Sequence, residues 1–174
     1  MRIFAQFLVP VTLMAGLAAP AVAQMNPNSP ESIASAAADC WTSTGSTSVD
    51  EARLRQLGWT AGSMRSANGK PVDNPLRIYG KRGSSVVLMI LPSTTMSGCA
   101  IVSRVAKPTD IGVTAQLLFT KLKAIDPSIV GGKGSGNGQI VYLSLPRIAE
   151  LSATGTKEQP GTRIVVGISP AEKK

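Results

Sequence analysis

The chain of 174 residues contains no histidine. That single absence removes the usual general base at neutral pH, the commonest metal ligand, and the Ser-His and Cys-His nucleophile systems. Cysteine is nearly absent too. Cys40 and Cys99 are the whole complement, too few for a cysteine-rich metal site and without the Cys-x-x-Cys spacing of redox centres. Acidic residues are sparse, and no D-x-D or E-x-x-E pair sets two carboxylates side by side for acid–base work or calcium. Asp50 and Glu51 are adjacent, but neighbours on a helix point in different directions. Gly132-Lys133 is followed by Gly134 where a phosphate loop requires Ser or Thr. Aromatic residues beyond the first 23 positions are confined to Trp41, Trp59, Tyr79, Phe119 and Tyr142, and no five like charges run together. Stacking platforms and basic arms for nucleic acid are therefore missing. The reading is a protein without enzymatic activity, metal or cofactor, and not a nucleic-acid binder.

What is present begins with an export signal. Arg2 supplies the positive start, an apolar stretch runs from Ile3 to Ala19, and Ala21-Val22-Ala23 forms an A-x-A cleavage site. Residues 1–23 are expected to be removed by cleavage after Ala23. No cysteine stands at the cleavage point to carry a lipid anchor. Gln6 and Pro10 interrupt the span that a bilayer needs, so no stable membrane span is expected after signal removal. The expected location is periplasmic or secreted. In that oxidising setting Cys40 and Cys99 are expected to form one structural disulfide, closing a loop worth roughly 4 kcal/mol of unfolded-state entropy.

Residues 24–29 read as a flexible lead-in, 30–169 as a single α+β domain, and 170–174 as a disordered tail. Ser29-Pro30-Glu31 is a helix start, with Ser as N-cap and Pro at the first helical position. Ile33, Ala36, Ala37, Cys40 and Trp41 follow at helical spacing. Ser48 to Glu51 reads as a capping box opening a second helix that Gly58 closes, and the two helices are expected to form a hairpin. Trp59 and Trp41 flank it as packing anchors. Strands are expected over Trp59–Ser63, Leu76–Tyr79, Ser85–Leu91 and Gly98–Ala106, with a hairpin loop at Gly80–Gly83. The unbroken run through Leu91 suggests a central strand covered on both faces. Sequential strands with short links favour an antiparallel meander. Thr109 or Asp110 caps the clearest helix, striped by Ile111, Ala115, Leu118, Leu122 and Ile125. The glycine-rich 131–138 segment reads as a flexible connector. Gln139–Leu145 and Arg163–Ile168 read as strands, Arg147–Leu151 as one helical turn, and 152–162 as loop. The fold class is α+β: an N-terminal helical hairpin on a mainly antiparallel sheet, with a three- to four-strand meander, a helix and two further strands.

Function is expected to rest on contact. The chain carries a formal charge of +8, spread without runs, a diffuse positive field that favours anionic partners. The leading expectation is a non-catalytic exported (periplasmic) interaction protein that binds an envelope component or another exported protein. If helices cover only one face of the sheet, the other presents Val, Met and Leu from Val86–Leu91 to a partner. The alternative is a small anionic ligand or lipid-headgroup binder using the basic 77–82 hairpin. Arg77, Tyr79, Lys81 and Arg82, with Lys133 in the glycine-rich loop, are the candidate anion-binding residues. Nothing in the sequence specifies an oligomeric state.

Overall fold

The computed structural model describes residues 26–63, 66, 68–72, 76–91, 98–131, 139–144, 147–155 and 161–170. The expected leader and cleavage site, Lys133, the 132–138 part of the glycine-rich segment and residues 171–174 lie outside them.

Helix α1 (Pro30–Ser43) starts as its sequence dictates, with the Ser29 side chain accepting from the Ser32 N–H. Ile33, Ala34, Ala37, Cys40 and Trp41 are fully buried on one face. Helix α2 (Glu51–Gln56) is capped by Asp50, whose carboxylate accepts from the Arg53 N–H at 3.0 Å. The cap is therefore not Ser48. The Thr44–Val49 bridge pairs the chain across that position and keeps Ser48 out of the helix. Strands β1 (Trp59–Gly62), β2 (Arg77–Lys81), β3 (Val87–Leu91) and β4 (Gly98–Val105) form the expected antiparallel meander. Strand β2 continues through Gly80 and Lys81 because β1 pairs with them, and the turn falls later, with Gly83 at φ +77°.

Helix α3 (Asp110–Ile125) buries Thr114, Ala115, Leu118 and Leu122. The second meander follows: β5 (Val130–Gly131), β6 (Ile140–Ser144), β7 (Arg147–Gly155) and β8 (Thr162–Pro170). Strand β7 replaces the expected helical turn and loop. Ala149 and Leu151 are buried while Glu150 and Thr154 are exposed, a period of two hidden by residues of low strand propensity and enforced by pairing with β6 and β8 on either side. Gly131 lies in β5 and not in a connector, and Pro170 ends β8 and not a tail. Within the expected lead-in, the Asn28 N–H donates to the Arg104 carbonyl at 2.8 Å and its amide to Ser103 Oγ at 2.9 Å.

All eight strands form one antiparallel sheet in the order β1-β2-β3-β4-β8-β7-β6-β5. The order is palindromic. Each half is helix followed by four-stranded meander, and the halves meet where β4 pairs with β8. Residues directly opposite on paired strands share a face, so the registers settle where the helices lie. Cys99 is bonded to Cys40 of α1, with Cα atoms 6.0 Å apart. Cys99 stands opposite Ile168, Ile168 opposite Ala149, and Ala149 opposite Tyr142. The Tyr142 hydroxyl donates to the Ala115 carbonyl of α3 at 2.8 Å. Helices α1 and α3 thus cover the same face and pack on each other. Glu31 and Lys121 pair at 2.7 Å, bringing the first turn of α1 against the last turns of α3. Helix α2 joins that face through buried Leu54. Among the described residues, no helix covers the other side of strand β3. Leu88 and Ile90 enter the core, whereas Val87 and Met89 point the other way.

On the helix-free face, Ile78, Met89, Ala100 and Gly167 form one row across β2, β3, β4 and β8. Gly80, Val87, Val102 and Val165 form the next, and Arg104 stands opposite Arg163 beyond it. A Cβ added at Gly167 would meet nothing within 4 Å.

Candidate functional site

The two-residue period of β2 sends Arg77, Tyr79 and Lys81 to the same, helix-bearing face. There each finds an intramolecular carboxylate. Glu51, at the start of α2, accepts hydrogen bonds from Arg77 Nη1 and from the Tyr79 hydroxyl. Asp39 of α1 accepts from Lys81 Nζ at 3.0 Å and from Trp59 Nε1 at 3.0 Å. Lys81 also sits 5.7 Å from the Trp59 ring centroid. Tyr79 is only 1% exposed, so its ring packs in the core and does not sit at a hairpin tip ready to stack. Burial, together with the Glu51 carboxylate accepting its proton, pushes the Tyr79 phenol up to about 12.

The expected basic cluster is therefore divided between two clefts. The first, of about 290 Å³, lies at the β1–β2 edge and takes Arg77 and Tyr79 together with Glu51, Arg55 and an apolar wall that includes Val72. The second, of about 260 Å³, takes Lys81 and Arg82 with Asp39, Glu31 and Trp59. Sequence reasoning did not single out Glu51, Arg55 or Asp39 as site residues. The signal available for Arg55 was its position four residues after Glu51, on the same side of a short helix.

A further polar cluster joins the end of α3 to β6. Ser144 Oγ donates to Asp126 Oδ2 at 2.5 Å and Ser128 Oγ to Asp126 Oδ1 at 2.6 Å, with the two hydroxyls 2.8 Å apart. The Ser128 and Ser144 hydrogen bonds hold the Asp126 carboxyl below the usual carboxylate range, reinforced by the charge of Arg147. A carboxylate so stabilised is a weak base, and the geometry is that of a loop pin. Among the described residues no three His, Cys, Asp or Glu side chains are grouped to hold a metal ion, and no helix is long and apolar enough to cross a membrane.

Together these features define an α+β protein with one helical layer on a single eight-stranded antiparallel sheet, clamped by a disulfide of the kind that belongs to an oxidising, extracytoplasmic setting. No protein-family model matches the chain, and comparisons with curated proteins and with solved structures find no match.

Proposed function

We propose that this chain is a non-catalytic interaction protein, exported to the periplasm or secreted after cleavage following Ala23, and that its partner docks on the helix-free face of the sheet. The observation that supports this reading is the register chain from Cys99 to Tyr142, which gathers the helices on one side. The other side carries the half-buried Ile78, Val87, Met89 and Val165. At the border of that patch stands the exposed Arg163 of β8. The partner that fits is a segment of an exported or envelope protein presenting apolar side chains, with a carboxylate directed at Arg163.

A photo-crosslinking residue at Met89 tests it, with the exposed Gln116 on α3 as the control position. The expected result is a discrete adduct from native envelope at Met89, absent at Gln116 and abolished by Arg163→Glu with Val165→Glu. Equal adducts from both faces, or adducts that persist in the charged variant, would sink the reading.

A further inference from the structure

The β1–β2 edge cleft holds more positive charge than the fold needs. Glu51 is fully engaged, accepting from both Arg77 and Tyr79. Arg77 uses one guanidinium nitrogen for this and keeps the rest of its fork, with its side chain 54% exposed. Arg55 lies one turn after Glu51 on the same side of α2 and has no ion-pair partner among the described residues. Among the described residues, two guanidiniums and one carboxylate therefore line a cleft of about 290 Å³, a size near the lower end of small-molecule pockets. Ala61 and Val72 add apolar lining, with Val72 44% exposed. Planar, forked donors beside an apolar wall are what an amphipathic anion requires.

We propose that this cleft binds a small organic anion with a short apolar body, its carboxylate or phosphate held between Arg55 and Arg77 and its carbon chain laid on Ala61 and Val72. Glu51 is the positioning residue. By taking one side of the Arg77 fork, and by being fixed itself through the buried Tyr79, it aims the remaining donors into the cleft. The cleft is too small for the body of a two-chain lipid, so the ligand is a free amphiphile. This site is independent of the docking face proposed above, and either can fail without the other.

The test titrates the mature protein with octanoate, hexyl phosphate and hexanol, read by amide chemical shifts. Octanoate or hexyl phosphate should saturate, moving Ala61 and Val72, and the tighter of the two names the head group. Hexanol should bind at least about ten-fold more weakly, as expected when a charge-assisted bidentate pair is lost. Arg55→Gln leaves the Glu51–Arg77–Tyr79 contacts in place, so its melting temperature should not move, while octanoate affinity falls about ten-fold. Hexanol binding as well as octanoate, unchanged affinity in Arg55→Gln, shifts that map elsewhere, or binding seen only with anionic lipid vesicles would each overturn the proposal.

Discussion

Arg147, the first residue of β7, lies with its guanidinium 4.7 Å above the Trp41 ring and donates from Nη1 to the Trp41 carbonyl at 2.8 Å. It also reaches the Thr44 carbonyl at 3.3 Å. One cation thus caps the C-terminal carbonyls of α1 and covers the face of a buried indole, tying the first helix to the second meander across 106 residues. Helix C-termini favour positive charge, and the ring adds a cation–π contact.

Arg147→Ala should lower unfolding free energy by about 2 kcal/mol, from lost hydrogen bonds to helix carbonyls and lost stacking. Chemical denaturation monitored by tryptophan fluorescence measures it. An effect within about 0.5 kcal/mol, the scale of an ordinary surface change, would mean that the contact is incidental.

The Cys40–Cys99 bridge closes a loop of 59 residues between α1 and β4. Reduction, or paired replacement by Ala, should cost roughly 4 kcal/mol in the chain-entropy model. The denaturation midpoint with and without reductant gives the figure, and coincident curves would show that the clamp contributes nothing.

The chain has two tyrosines, and both phenols are pushed up to about 12. Tyr142 is raised by burial, and Tyr79 by burial and the neighbouring Glu51. The folded state favours the neutral phenols, so their contribution to stability is complete below the ordinary value of about 10 and is lost as pH rises through about 12. Tyrosinate absorbance should stay flat past pH 10 and then rise together with loss of circular dichroism. A simple titration centred near 10 with the fold intact would contradict the burial of both rings.

At the acid end the sign reverses. Hydrogen bonds from Ser128 and Ser144 lower the Asp126 carboxyl, so its contribution is present above about pH 4, the ordinary carboxylate value, and disappears as pH falls through the lowered value. Asp126→Asn should therefore reduce the melting temperature at pH 7 while leaving it nearly unchanged at pH 2. Equal losses at both pH values would assign the effect to packing and not to charge.

Gly161 sits at φ +82°, and a Cβ there would lie 2.4 Å from the Val105 carbonyl oxygen. The strand end cannot move away freely, because Arg104 Nη2 donates to the Gly161 carbonyl at 3.0 Å. Gly161→Ala should cost about 2 kcal/mol or more, whereas Gly80→Ala, with nothing within 4 Å of the added carbon, should cost less than about 1 kcal/mol. Thermal melts of the pair make the comparison, and equal costs would refute the close approach at Gly161.

The helices and the first meander were legible because local signals and tertiary packing agree there. Ser29-Pro30 starts α1, the stripe from Ala115 to Leu122 is the buried face of α3, and the run through Ile90 is a strand. The second meander was largely illegible. Ile148 and Leu151 are spaced for a helix as readily as for a strand, and only β6 and β8 on either side decide between them. The palindromic order has no counterpart in repeated sequence, since corresponding strands need to share only inward polarity. At the candidate site the hairpin's basic residues were visible, but their carboxylate partners were not. Glu51 reads as a capping-box residue and nothing local marks Asp39 until the sheet edge is brought beneath them.

Pairing β4 with β8 in the middle of the sheet has a consequence for biogenesis. Strand β4, buried along its entire length, must wait with a bare edge while α3 and three further strands are synthesised, because its permanent neighbour emerges after all of them. During that interval an edge that the finished fold buries is unprotected. Slow synthesis of the C-terminal third should therefore lower yield far more than an equal delay before β1.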